Sequence, residues 1–192
     1  MIITFCGHGD FRATPDLEDK LLLVLEREIG DSAAELFLGG YGNFDAFALR
    51  CGRILQRKHP RISLVYVTPY MIADPTGDKR AGYDQILYPP LENVPPRYAI
   101  VHRNRYMVER ADMVIVYITR SRGGAYQAYQ YAKRKKKRSV IWRNHKEKGR
   151  RTVPFRFTRS YPAPVRSSPP RARDIPRRSC PRRSPRPASA PG

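Results

Sequence analysis

The sequence predicts an α/β fold: a doubly wound sheet of about five parallel strands, with helices on both faces and the first strand in the centre. Three observations predict it. Short apolar runs alternate with amphipathic helical segments through residues 1–142. These runs are apolar at almost every position, as strands covered on both faces must be. Three of them lead into glycine turns that open helices: Gly7-His8-Gly9-Asp10, Gly39-Gly40-Tyr41-Gly42-Asn43-Phe44-Asp45 and Gly123-Gly124-Ala125.

Ile2 to Cys6 reads as the first strand. Thr14 is an N-cap with Pro15 at the first helical position and Asp16, Glu18 and Asp19 in the first turn. Leu17, Leu21, Val24, Leu25 and Ile29 follow helical spacing until Gly30. Leu36 to Leu38 is a second short strand. Phe44, Phe47, Ala48, Cys51, Ile54 and Leu55 then recur at three and four, a helix that stops before Pro60. Ile62 to Thr68 is a third strand. Residues 69–96, rich in Pro, Tyr, Gly and Asp, form an insertion of a length that is often functional. A helix resumes near Arg97, with Ile100, Val101, Met107 and Val108 apolar. Met113 to Ile118 is a fourth strand, Ala125 to Lys137 a helix, and Ser139 to Trp142 a closing strand.

The 192 residues suffice for one domain with a real core. Their net charge of +20 is unevenly placed. Residues 1–132 carry sixteen basic and fifteen acidic side chains, so the body is nearly neutral. Residues 133–138 carry +6, read as a solvated helix end, and residues 143–192 carry +13. Ten of the 18 prolines lie beyond Trp142, mixed with Arg and Ser and without apolar period. Such a segment buries too little surface to order itself, so 143–192 is predicted to be a disordered tail beside a domain of 1–142. Its abrupt onset is also what an out-of-frame extension looks like. The cysteines, Cys6, Cys51 and Cys180, are odd in number and form no CxxC pair. That pattern suits a reducing compartment and implies neither a zinc site nor another cofactor. No run approaches the roughly 18 apolar residues of a membrane span, and no signal peptide is evident, so the cytoplasm is the expected location. Oligomeric state leaves no signature in the sequence.

The turns are the candidate site. In open α/β sheets ligands bind at the carboxyl ends of the strands, where glycine lets them approach the backbone and helix N-termini offer N–H groups to anions. The candidate ligand-binding residues are Gly7, His8 and Gly9, then Gly39, Gly40, Gly42, Asn43 and Asp45, then Ser121, Arg122, Gly123 and Gly124. Each has a plainer reading. The glycines make tight turns in any case. His8 is either a phosphate or base contact or a polar loop residue. Asp45 either complements the helix dipole or contacts a ribose hydroxyl. Tyr126, Tyr129 and Tyr131 span adjacent helix faces, so at least one belongs to the core and one is placed to stack on a base.

Together with Tyr88-Pro89-Pro90-Leu91-Glu92, Arg103-Asn104-Arg105-Tyr106-Met107-Val108-Glu109-Arg110-Ala111-Asp112 and Tyr131-Ala132-Lys133-Arg134-Lys135, these turns resemble the SLOG superfamily. That group joins the DNA-processing Smf/DprA proteins to the LOG nucleotide hydrolases. The resemblance, over about residues 1–142, is to its small bacterial stand-alone, YpsA-like type. It implies a Rossmann-like fold that binds nucleotides or nucleotide-derived ligands. It also implies a role for Arg103, which falls at the arginine of the LOG Arg-Lys pair, with Asn104 replacing the lysine. In the LOG GGxGTxxE motif Gly123 and Gly124 match, but Tyr126, Gln127 and Gln130 replace the third Gly, the Thr and the acid. Glutamine supplies no carboxylate to a developing positive charge and no base. The expected function is therefore a binding or sensing module for a nucleotide or nucleotide-derived ligand. The alternatives are a phosphoribohydrolase-like enzyme, with Asp45, Glu109 or Asp112 replacing the acid, and a DNA-binding accessory protein. A near-neutral body argues against the last; the tail alone would bind polyanions weakly.

Overall fold

The structure, a computed structural model, describes residues 1–70, 81–143 and 158–160. The order is β1 (Ile2–Gly7), α1 (Pro15–Ile29), β2 (Ala34–Leu38), α2 (Asn43–Lys58), β3 (Ile62–Val67), β4 (Gln85–Leu87), α3 (Pro96–Arg110), β5 (Met113–Ile118), α4 (Gly124–Arg134), β6 (Arg138–Arg143) and β7 (Thr158–Ser160). One sheet runs β4-β3-β2-β1-β5-β6-β7. The first six strands pair in parallel and β7 adds an antiparallel edge. As predicted, β1 is central, with β2 and β5 on either side.

Alternation along the strands sorts the core onto two faces. Ile3, Phe5, Leu36, Leu38, Leu64, Met113, Ile115 and Tyr117 point to one face, where Leu21, Leu25 and Ile29 of α1 and Phe44, Phe47, Cys51 and Leu55 of α2 cover them. Cys6, Val114, Val116 and Ile118 point to the other, beneath Val108 of α3 and Ala128, Tyr129 and Ala132 of α4. Phe37, Val65 and Val67 meet Met107 of α3 on that same side. This double covering is why β1, β2, β3 and β5 carry few polar positions.

Four details depart from the sequence reading. β4 lies inside the predicted insertion; Asp84 just before it accepts hydrogen bonds from the Leu64 N–H and from Gln56 Nε2, each at 2.7 Å. The last helix ends at Arg134, short of the predicted Lys137, because Lys136 takes a left-handed φ of 52°. Lys137 Nζ instead donates to the carbonyls of Glu109 and Ala111, capping α3. Arg138 pairs with Glu28, so the basic run is not a uniform solvated helix end. Finally, Thr158–Ser160 belong to the sheet, within the segment predicted to be disordered. The rest of that segment, with Cys180, lies outside the described residues.

Candidate functional site

The three glycine turns leave the carboxyl ends of β2, β1 and β5, three adjacent strands. The chain departs β1 toward β2 on one side and returns through β5 on the other, the reversal of strand order that opens a crevice in such sheets. The turns touch. A Cβ built on Gly42 would lie 3.3 Å from Gly9 Cα, and one built on Gly123 would lie 3.6 Å from His8 Nε2. Asn43 Nδ2 donates to the Phe11 carbonyl at 3.2 Å, tying α2 to the β1 turn. Phe11 itself is buried edge-on against Phe44 and Tyr117, with ring centroids 5.2 and 4.7 Å away.

His8 is buried and fully engaged. The Thr119 N–H donates to its Nδ1 at 3.0 Å, so Nε2 carries the hydrogen that reaches the Arg122 carbonyl at 2.8 Å. The imidazole is thus a cross-tie between the β1 and β5 turns. Asp10 reinforces it by pairing with Arg120 at 2.9 Å and accepting from Thr119 Oγ1 at 3.3 Å. Thr119 and Arg120 escaped the sequence reading; the only signal was a polar pair ending an apolar strand. Ser121 and Arg122 are exposed at the crevice edge.

The β2 turn rests on buried charges. Arg103 of α3 is 2% exposed, and its Nη1 donates to the Val67 carbonyl at 3.2 Å. Among the described residues its Nε has no partner. A Cβ on Gly39 would fall 1.8 Å from Nη1, so Gly39 is glycine because the guanidinium lies there. Asp45, in the first turn of α2, is buried, and its Oδ2 accepts from the Tyr41 N–H at 2.9 Å. Burial pushes its carboxyl up to about 6, against the opposing pull of the Tyr41 N–H and Arg103. Burial, with the charge of Asp45 adding, pushes the Cys6 thiol up to about 12.

The glycines divide into two groups. Gly7 packs on the Phe44 ring, and a Cβ there would sit 2.2 Å from it. Gly40 has a φ of +70° and faces Tyr66, while Gly42 has a φ of +89°. Packing or turn geometry accounts for these, as for Gly39. Gly9 and Gly124 differ. No described atom lies within 4 Å of a Cβ built on Gly9, and the nearest to one on Gly124 is Asn104 Nδ2 at 3.8 Å. Gly9 faces open space and Gly124 faces the groove between α3 and α4, so neither packing nor turn geometry accounts for them. Asn104 also lines a groove of about 300 Å³ between α3 and α4, with Arg105, Gly124, Gln127, Gln130 and Arg134.

Of the three acids proposed to replace the hydrolase carboxylate, only Asp45 lies at this edge. Asp112 precedes β5 and accepts from the Ile2 N–H at 2.7 Å, at the opposite end of the sheet. Glu109, near the end of α3, pairs with Tyr131 and Lys135. Gln130 donates to the Tyr126 hydroxyl at 2.6 Å. Among the described residues, no three His, Cys, Asp or Glu side chains cluster to hold a metal, and no helix is long and apolar enough to cross a membrane.

A chain with this geometry has known counterparts. The sequence is 27% identical to an uncharacterized SPbeta prophage-derived protein, YoqJ, of Bacillus subtilis, over 67% of this chain and 87% of that one. No protein-family model matches it. Among solved structures it is similar to DNA processing protein A (DprA) of Streptococcus pneumoniae, with a TM-score of 0.50 and 17% identity over 72% of this chain. The structure of DNA processing protein A from Helicobacter pylori, described for its single-stranded DNA binding mode, gives a TM-score of 0.49 and 16% identity over 73% of this chain. This chain spans 49% and 64% of those two chains, respectively. The likeness to the Streptococcus pneumoniae protein is one of fold, the Rossmann-like sheet described above.

Proposed function

We propose that this chain is a cytoplasmic binding or sensing module for a nucleotide or nucleotide-derived ligand, an SLOG-type domain of the stand-alone, YpsA-like kind. The observation that carries the reading is the meeting of the β2 and β5 turns on the β1 turn at the strand-order reversal, with no close neighbour at Gly9 and only Asn104 near Gly124. Helices α2 and α4 begin at these turns, so their free N–H groups suit an anion such as a phosphate. Ser121 and Arg122 add a hydroxyl and a charge. The bonds of His8 leave it a support for the walls rather than a ligand contact. Arg103 acts from beneath the β2 turn.

Hydrolysis is not part of this proposal, since Gln130 brings no carboxylate and Asp45 is committed to the Tyr41 N–H. The test is mass spectrometry of small molecules that co-purify with the protein, followed by calorimetric titration of any compound found. Recovery of a phosphate-bearing nucleoside compound that rebinds supports the reading. Fast release of free base from a nucleoside monophosphate would replace it with the hydrolase. Binding of single-stranded DNA, with no small-molecule ligand, would replace it with the nucleic-acid reading suggested by the DprA-like fold.

A further inference from the structure

Tyr41 sits between two glycines with left-handed φ values, +70° at Gly40 and +89° at Gly42, so the chain turns sharply on both sides of it. The side chain stands out from this corner, 40% exposed, at the carboxyl edge of the sheet. An exposed tyrosine on a loop usually samples several rotamers. This one is restrained twice. Its N–H is held by Asp45 Oδ2 at 2.9 Å, and the Arg103 guanidinium lies over its ring, 5.2 Å from the centroid. The guanidinium is itself fixed by burial and by the Val67 carbonyl. A buried cation on an aromatic face is a favourable and directional contact. It costs nothing in solvation that folding has not already incurred, and the residue remains 40% exposed beside it.

We infer that Tyr41 is the stacking platform for a nucleobase. The ligand of the crevice would then carry a base and not merely a phosphorylated sugar. This inference rests on the crevice reading proposed above and names what occupies its β2 side. Stacking tolerates any base, because every base presents a π-face. A tyrosine already held in place loses little conformational freedom when a base lands on it. Asp45 and Arg103 are positioning residues here: one sets the backbone of the platform and the other its ring.

The test titrates the intact protein and its Tyr41→Ala, Tyr41→Phe and Tyr41→Trp variants with the four ribonucleoside 5′-monophosphates and with ribose 5-phosphate. The alanine variant keeps the backbone bond to Asp45, so it folds. Any nucleotide that the native protein binds is expected to lose roughly tenfold in affinity in Tyr41→Ala and to keep it in Tyr41→Phe. Ribose 5-phosphate should bind all forms alike, and nucleotide should quench the new indole in Tyr41→Trp. Equal nucleotide affinity in the native and alanine forms overturns the stacking inference and leaves the crevice intact. So does a native protein that binds ribose 5-phosphate but no nucleotide. A native protein that binds none of these compounds removes the crevice reading, and the platform with it.

Discussion

Replacing Asp45 with asparagine should make this protein more stable at neutral pH. The carboxyl is buried, and its pKa is raised from 3.8 to about 6. A tenfold change in a protonation equilibrium is worth about 1.4 kcal/mol, so the charged form is disfavoured by about 3 kcal/mol in the folded state. The sign follows from proton counts. Between about pH 4 and 6 the unfolded chain has released the Asp45 proton and the folded chain still holds it. Stability therefore falls as pH rises through this window, and the loss is complete above it. Asparagine stays neutral at every pH, and its amide oxygen still accepts from the Tyr41 N–H. Arg103 loses a counter-charge in the variant, but it does so equally whenever Asp45 is protonated, so the comparison already contains that cost. Urea unfolding followed by circular dichroism from pH 4 to pH 8 reads the effect. Asp45→Asn should match the native protein near pH 4 and exceed it by up to about 3 kcal/mol at pH 8, roughly 6–12 °C in Tm. A variant less stable than the native protein at pH 8, or two parallel pH curves, would refute the reasoning. An acid kept at such a cost points to a requirement other than stability.

Three further outcomes are expected. Gly40→Ala should lower stability by about 1 kcal/mol or more, through its positive φ and the clash with Tyr66, whereas Gly124→Val should melt near the native temperature and abolish binding of whichever nucleotide the native protein takes; thermal melts and calorimetry separate the two. His8→Ala should cost about 2 kcal/mol or more by leaving the Thr119 N–H and Arg122 carbonyl unpaired, and hydrogen exchange should rise at residues 119–124; unchanged exchange there would count against the cross-tie. Truncation after residue 162 should leave the Tm unchanged and reduce heparin retention at low salt, because the removed segment is rich in arginine, while truncation after residue 142 also removes β7 and should lower the Tm.

Much of the fold was legible because burial on both sides of the sheet leaves a dense apolar signal in β1, β2, β3 and β5. The turns were legible because glycine is punctuation wherever a strand hands over to a helix. What escaped detection has physical reasons. β4 is three residues long and none of them is fully buried, so it carries no pattern. Arg103 was reached through the resemblance alone, because it occupies an inward position of α3 and a charged residue at a core position reads as solvent-facing in any hydrophobic periodicity. The role of His8 depends on partners more than a hundred residues away. Which glycines are demanded by packing and which are open is a matter of neighbours such as Arg103 and Tyr66, and no local pattern encodes it. The end of α4 was misplaced because lysines extend a helix as readily as they leave it, and tertiary bonds decided.

The cross-tie between the β1 and β5 turns divides the labour among residues. The walls are held by a buried imidazole, by backbone groups of Thr119 and Arg122, and by the Asp10–Arg120 pair, all linked to one another. The side chains of Ser121 and Arg122 project from those walls, and that of Tyr41 from the neighbouring β2 turn, without taking part in the tie. Substitutions at these three positions can therefore drift in a lineage without unfolding the scaffold, whereas replacing His8 removes the imidazole that joins the two backbone groups. A fold arranged this way is free to exchange one ligand for another through a few surface replacements.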